Sequence, residues 1–193
     1  MARPREFDET AAVESAMHAF WTHGYEATST QDLCAATGLG RSSVYNTFTS
    51  KKALFHRTLT HYSGQGLAGR KAILESPGTA TERIAAMFDA LVDDELEHGR
   101  RGCLVVNTLA ELGTPDDEIG EALRRDTEKQ LALLAECARE GVLDGSLRPG
   151  RDPADVAEFL LSTISGLRVM SRRGASGEAM HAVADLALSA IAR

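Results

Sequence analysis

Long apolar runs, strand patterns and paired cysteines are all missing from this 193-residue chain, and each absence excludes a class. No run approaches the roughly 18 apolar residues of a membrane span. The first ten residues, MARPREFDET, lack the apolar stretch of a secretory signal. Cysteines number three, Cys34, Cys103 and Cys137, and they lie far apart. An odd, dispersed set argues against a disulfide framework and for reduced thiols in the cytoplasm. The six histidines make no HExxH, no cysteine pair has zinc spacing and no GxSxG elbow occurs. The expectation is therefore no enzyme, no cofactor and no metal. One GxGxxG string exists, Gly64-Gln65-Gly66-Leu67-Ala68-Gly69. A dinucleotide site needs a strand before it and a βαβ unit around it, and no strand signal precedes this one. Aromatics make up only 5% of the chain, while Ala and Leu dominate the apolar set. Both are strong helix formers, so the expected fold is all-α.

Acid is missing where it matters most. Between Asp32 and Glu75 there is no Asp or Glu, yet Arg41, Lys51, Lys52, Arg57, Arg70 and Lys71 give +6 in a chain of net charge -7. Residues 1–60 hold six Lys/Arg and six Asp/Glu, so the whole deficit belongs to residues 61–193. Such a split fits an N-terminal part that meets a polyanion and a C-terminal part that does not.

Punctuation along the chain predicts about nine helices. The first starts after Asp8, presents Val13, Ala16, Met17 and Phe20 on one face, and stops at His23-Gly24. Ser29-Thr30-Gln31-Asp32 has the capping-box pattern and opens a short helix with Leu33 and Ala36 inward, broken by Gly38. A third helix spans about Arg41 to Phe48, with Val44 and Phe48 spaced i,i+4 toward the core. Ser50 caps a fourth through Leu54, Phe55 and Leu59, which Gly64, Gly66 and Gly69 should weaken. Thr79 to Glu82 begins a helix with Ile84, Met87, Phe88 and Leu91 inward. Another covers Cys103–Leu112. Thr114-Pro115-Asp116-Asp117-Glu118 starts a helix expected to end at Glu140 before Gly141. Asp152-Pro153 and Ser176 open the last two.

Residues 29–48 thus read as short helix, glycine turn, short helix, the helix-turn-helix arrangement whose second helix lies in the DNA major groove. With Val44 and Phe48 inward, Arg41, Ser42, Ser43, Tyr45, Asn46 and Thr47 are left outward. These are groups that bond base edges and phosphates, and an acid among them would repel the backbone. Lys51 is placed for a phosphate, and Arg3 and Arg5 for a basic arm.

The segment TSTQDLCAATGLGRSSVYNTFTSKKAL, residues 28–54, resembles the DNA-binding domain of the TetR family of bacterial transcriptional regulators. Thr28, Asp32, Leu33, Gly38, Leu39, Tyr45, Phe48, Ser50, Lys51 and Leu54 carry the likeness, with Phe20 and Gly24-Tyr25 upstream. The resemblance implies a helix-turn-helix domain over residues 1–60 and a C-terminal helical effector-binding and dimerisation domain over 61–193. It implies that Ser29, Thr30 and Gln31 lie at the N-terminus of the first motif helix. Arg41, Ser42, Ser43 and Asn46 would face the groove, and Tyr45, Thr47 and Lys51 the phosphates. Gly40, Thr37 and Thr47 depart from the usual Ser, Ala and Tyr or His.

The same resemblance implies a repressor that binds a palindromic DNA operator as a homodimer and is released by a small-molecule effector. The last two helices, rich in Ala, Ser and Gly, suit close packing between two subunits. Met87, Phe88, Leu91, Asn107, Phe159 and Thr163 are candidates for the effector pocket, being apolar walls with a few polar groups. Cys103 joins them: it stands near a helix start beside Arg100 and Arg101, both of which favour a reactive thiolate. A related group of regulators has a similar Gly-Cys-Leu segment and includes members that sense electrophiles or oxidants. The competing class is a small-molecule-binding or interaction protein without specific DNA recognition, which would not need the Arg, Ser and Asn set.

Overall fold

The computed structural model describes residues 8–97, 99, 101–113 and 117–193. Among these, nine helices account for the regular structure: α1 (Glu9–His23), α2 (Thr30–Thr37), α3 (Arg41–Phe48), α4 (Lys51–Leu74), α5 (Ala80–Glu97), α6 (Leu104–Leu112), α7 (Glu118–Leu143), α8 (Pro153–Arg172) and α9 (Gly177–Ile191). The proposed arm residues Arg3 and Arg5, together with Arg100 and Thr114-Pro115-Asp116, lie outside the described residues.

Local chemistry sets most of the boundaries. Asp8 accepts from the Thr10 and Ala11 amides to start α1. Ser29 and Asp32 exchange the reciprocal bonds of a capping box at α2. Thr79 and Glu82 make the same exchange before α5, at 2.8 Å and 3.3 Å. Ser50, Asp117, Asp152 and Ser176 cap α4, α7, α8 and α9 through their side chains. Each cap satisfies amides that the helix itself cannot, worth about 1 kcal/mol apiece.

Three local expectations give way to packing. Ala36 is exposed, because the inner side of α2 runs from Leu33 to Thr37 at i,i+4 rather than to Ala36 at i,i+3. The Gly64, Gly66 and Gly69 cluster does not fray α4, which runs 24 residues unbroken. Leu54, Phe55 and Leu59 anchor its first half in one core and Leu74 its end in another, and that burial outweighs the cost of about 1 kcal/mol per helical glycine. Gly141 does not end α7, which continues to Leu143. It lies buried where a Cβ would stand 2.5 Å from Leu147 and 2.8 Å from Ala80, so the glycine is a site of close approach.

Two cores result. The first unites Phe20, Leu33, Val44, Phe48, Leu54 and Phe55 from α1–α4, and it also takes in Leu104 and Val105 of α6 and Ile119 and Leu123 of α7. Phe20 meets Phe55 edge-on at 4.9 Å between ring centres. The second joins α5, α7, α8 and α9 around Ile84, Phe88, Leu134, Leu160, Leu167 and Met180. Residue 60, expected to divide two domains, falls inside α4, which belongs to both cores. A bridge between Leu147 and Ala192 pins the chain's end to the α7–α8 loop. No described helix is long and apolar enough to cross a membrane.

Candidate nucleic-acid interface

Helices α2 and α3 are held as a unit by the side chains they bury. Leu33 is 0% exposed, Val44 and Phe48 2% each. Gly38 sits in the left-handed region at φ 69°, which turns the chain between the helices. The Thr30 and Tyr45 hydroxyls lie 3.1 Å apart across the two helices.

What remains outward is polar and cationic. Gln31, Arg41, Ser42, Tyr45 and Asn46 are exposed, while Thr30, Ser43, Thr47 and Lys51 are half-buried. The Arg41 guanidinium lies 5.8 Å from the Tyr45 ring centre, so one rests against the other on the free face. Lys51 Nζ donates to the Glu26 carbonyl at 3.2 Å and stands 4.6 Å from the Tyr25 ring centre. Ser29 is exposed, but its hydroxyl serves the cap. The Asp32 carboxylate accepts from the Ser29 hydroxyl and amide, which hold its pKa below the usual range; its charge is spent on the start of α2.

This surface is latched to the C-terminal helices at three points. The Glu111 carboxylate of α6 accepts from the Tyr25 and Glu26 amides at 2.9 Å and 2.8 Å. The carboxylate comes so near that a Cβ on Gly24, at φ 86°, would lie 2.9 Å from it. Trp21 Nε1 donates to the Gly102 carbonyl at 2.9 Å, and the Arg101 guanidinium stacks 4.1 Å from the Trp21 ring. Lys52 pairs with Asp117 at 2.8 Å. Both ends of α6 thereby touch the α1–α2 region.

Behind α6 lies a cavity of about 100 Å³ between α4, α6, α7 and α8. Tyr62, Arg70, Cys103, Asp126, Gln130 and Arg168 are among its polar lining residues. Arg168 bonds Glu95 at 3.1 Å and Tyr62 at 3.3 Å, with side-chain exposures of 14% for Arg168 and 3% for Glu95. Burial pushes the pKa of the Tyr62 hydroxyl up. Arg70 donates to the Gln130 side chain. Burial, and then the neighbouring Arg168 charge, push the pKa of Arg70 down. The described residues contain no cluster of three or more His, Cys, Asp or Glu able to hold a metal.

The family profile described as bacterial regulatory proteins, tetR family, matches residues 12–58, and that of the tetracyclin repressor-like C-terminal domain matches residues 80–186. The HTH-type transcriptional repressor ComR of Escherichia coli is 32% identical over 96% of this chain and 90% of its own length. This chain belongs to the TetR family. The uncharacterised HTH-type transcriptional regulator YezE of Bacillus subtilis is 28% identical over 99% of this chain and 100% of its own length. Among solved structures, a cysteine mutant of the TetR regulator CifR, complexed with 26bp double-strand operator DNA, superposes with a TM-score of 0.87 at 34% identity. That superposition covers 98% of this chain and all of CifR's.

Of the ten candidate DNA residues, the structure brings together the start of α2 and the outer side of α3, where the Thr30 and Tyr45 hydroxyls meet. It does not gather the seven effector candidates. Met87, Phe88 and Leu91 are buried in the second core at 3%, 1% and 7% exposure. Phe159 is exposed on α8, and the Thr163 hydroxyl donates to its carbonyl. Asn107 donates to the Arg101 carbonyl and fastens the entrance of α6. Cys103 alone lines the cavity. Sequence reasoning missed Tyr62, Arg70, Gln130 and Arg168. One signal was available for Arg168: a cation inside an otherwise apolar helical stripe, four residues after Ile164 and one after Leu167. Of the other thiols, Cys34 is half-buried, and burial pushes the Cys137 thiol up to about 11.

Proposed function

We propose that this TetR-family regulator is a homodimeric repressor that reads a palindromic operator through α3 and lets go when Cys103 is modified or its cavity is filled. The observation that carries the DNA reading is the outward face of α3, which is polar and cationic over a buried Val44–Phe48 seam in a segment free of acid. Arg41, Ser42, Ser43 and Asn46 face the bases. Tyr45, Thr47 and Lys51 meet phosphates, and Ser29, Thr30 and Gln31 lie along the backbone at the start of α2. As a DNA reader with free thiols it acts in the cytoplasm and catalyses no reaction. Residues up to the middle of α4 form the reading domain, and the rest form the effector and dimer domain.

Release follows from how α6 is held. Cys103 is its N-cap residue, half-buried with no side-chain cap bond, and its thiol borders a cavity of about 100 Å³. A group added to the sulfur has little free space and displaces α6. That displacement reaches α1 and α2 through Gly102–Trp21 and Glu111. Modified and unmodified states then differ in operator affinity, typically by about 5- to 150-fold for such coupling. CifR, studied as cysteine mutants on operator DNA, is the relative that makes thiols and DNA binding one question here.

Selection from random duplexes at physiological salt tests the reader, with recovery of a palindrome as the expected result. Recovery of nothing above background by folded protein sinks it. The recovered duplex then tests the thiol: N-ethylmaleimide should release wild-type protein and leave Cys103→Ser bound. Equal release of both would remove Cys103 from the mechanism while leaving the reader intact.

A further inference from the structure

Arg70 is half-buried and has no ion-pair partner among the described residues. Its guanidinium donates to the neutral Gln130 amide, and no carboxylate oxygen of the described residues lies within 4.0 Å of it in an ion pair. Asp126, which also lines the cavity, takes a bond from the Gln130 amide at 3.4 Å; burial raises its pKa while the Arg70 charge lowers it, so it acts on the cation across Gln130 rather than in an ion pair with it. Arg168, which also lines the cavity, pairs with Glu95 at 3.1 Å and with the same nitrogen reaches the Tyr62 hydroxyl at 3.3 Å. A desolvated guanidinium beside a second one is costly unless an anion joins them. The remaining lining is mixed: Val105, Val106, Leu109, Leu161 and Ile164 are apolar, Ser63, Thr127 and Ser165 offer hydroxyls, and the Asp126 carboxylate also borders the space.

We propose that this cavity is a carboxylate site: a small organic acid binds with its anion on Arg70, Arg168 completes the electrostatic clamp, and its carbon body lies against α6 and α8. A guanidinium matches a carboxylate through two parallel N–H···O bonds, which a neutral amide cannot reproduce. The volume of about 100 Å³ restricts the ligand to a few carbon atoms unless α6 moves. The proposal rests on the effector-cavity part of the functional reading and requires neither DNA binding nor chemistry at Cys103.

The chain carries its own reporter. Its single tryptophan, Trp21, meets the cavity residue Tyr62 edge-on at 4.9 Å and bonds the Gly102 carbonyl next to Cys103. Full-length protein without DNA is titrated with acetate, isobutyrate and benzoate, each against its amide, while Trp21 emission and the thermal midpoint are followed. At least one acid should saturate and bind about tenfold or more tighter than its amide. Arg70→Gln should abolish that preference, and Arg70→Lys should restore part of it. Equal binding of acid and amide overturns the proposal, as does the absence of saturation by every acid. So does an Arg70→Gln protein that keeps its circular dichroism and its preference for the acid. If Arg70→Gln fails to fold, the acid–amide comparison on wild-type protein still decides. None of the ligands alkylates a thiol and no duplex is present, so failure here is separate from failure of Cys103 or of operator reading.

Discussion

Arg41 and Lys51 carry the same charge in different company, and the difference predicts different phenotypes. Arg41 opens the exposed face of α3 and leans on Tyr45, whereas Lys51 is tied to the Glu26 carbonyl at the head of α4. Removing a groove-facing guanidinium should cost about 1–3 kcal/mol for the preferred base pair and relax preference there. Removing a phosphate-facing ammonium should weaken all duplexes alike and lower the salt slope by about one. Binding of Arg41→Ala and Lys51→Ala to specific and scrambled duplexes between 50 and 200 mM salt, about the range where counterion release shows, separates the two. Parental behaviour of both mutants would refute these roles. At this scale the sequence is readable because the signal is local. Val44 and Phe48 are one helical turn apart, and no other residue is needed to see that they share a face. Arg70 and Cys103 meet only through the packing of four helices, which no spacing records.

Elements were readable where their ends are made by neighbours in sequence, as in the Ser29–Asp32 and Thr79–Glu82 boxes. They were misread where a distant residue decides. Gly141 has the composition of a terminator, but Ala80 and Leu147 come from elsewhere to meet it. Two glycines in helices should therefore respond to alanine with opposite signs. Gly69, exposed on α4 with nothing near its missing Cβ, should gain about 0.5–1 kcal/mol on Gly69→Ala. Gly141→Ala gains the same backbone term, but overpacking costs typically about 1–3 kcal/mol, and the fixed Ala80 methyl leaves little room for relief. Thermal midpoints should rise for the first variant and fall for the second. A rise for Gly141→Ala would mean that α5 and the α7–α8 loop yield easily. The latch from α6 leaves no local mark either: Glu111 gives no sign in its own neighbourhood that it accepts from Tyr25 and Glu26, 85 to 86 residues away.

At the scale of the molecule, one chain presents one recognition helix, and a palindrome needs two at a fixed separation of roughly 34 Å or more. The second must come from another copy, and the outer faces of α8 and α9 are suited to bring it. Phe159, Val169, Val183 and Leu186 are 40%, 54%, 37% and 70% exposed there, while Leu160, Leu167, Met180 and Ala184 on the inner faces satisfy the chain's own core. Leu186 makes the sharper test, since its exposure lets a charge be introduced without disturbing that core. Leu186→Glu should keep the helical circular dichroism of the parent and lower the mass in solution from twice 20.7 kDa to 20.7 kDa. A monomer loses the effective concentration that seats the second half-site, so operator affinity should fall by about 10²–10⁴-fold. Its contacts to a single half-site are untouched, because α3 lies in the other core. Retention of the dimer and of full affinity by Leu186→Glu would place the subunit contact elsewhere. Retention of the dimer with lost affinity would instead mean that the α8–α9 seam sets the spacing of the reading heads without being what holds the subunits together.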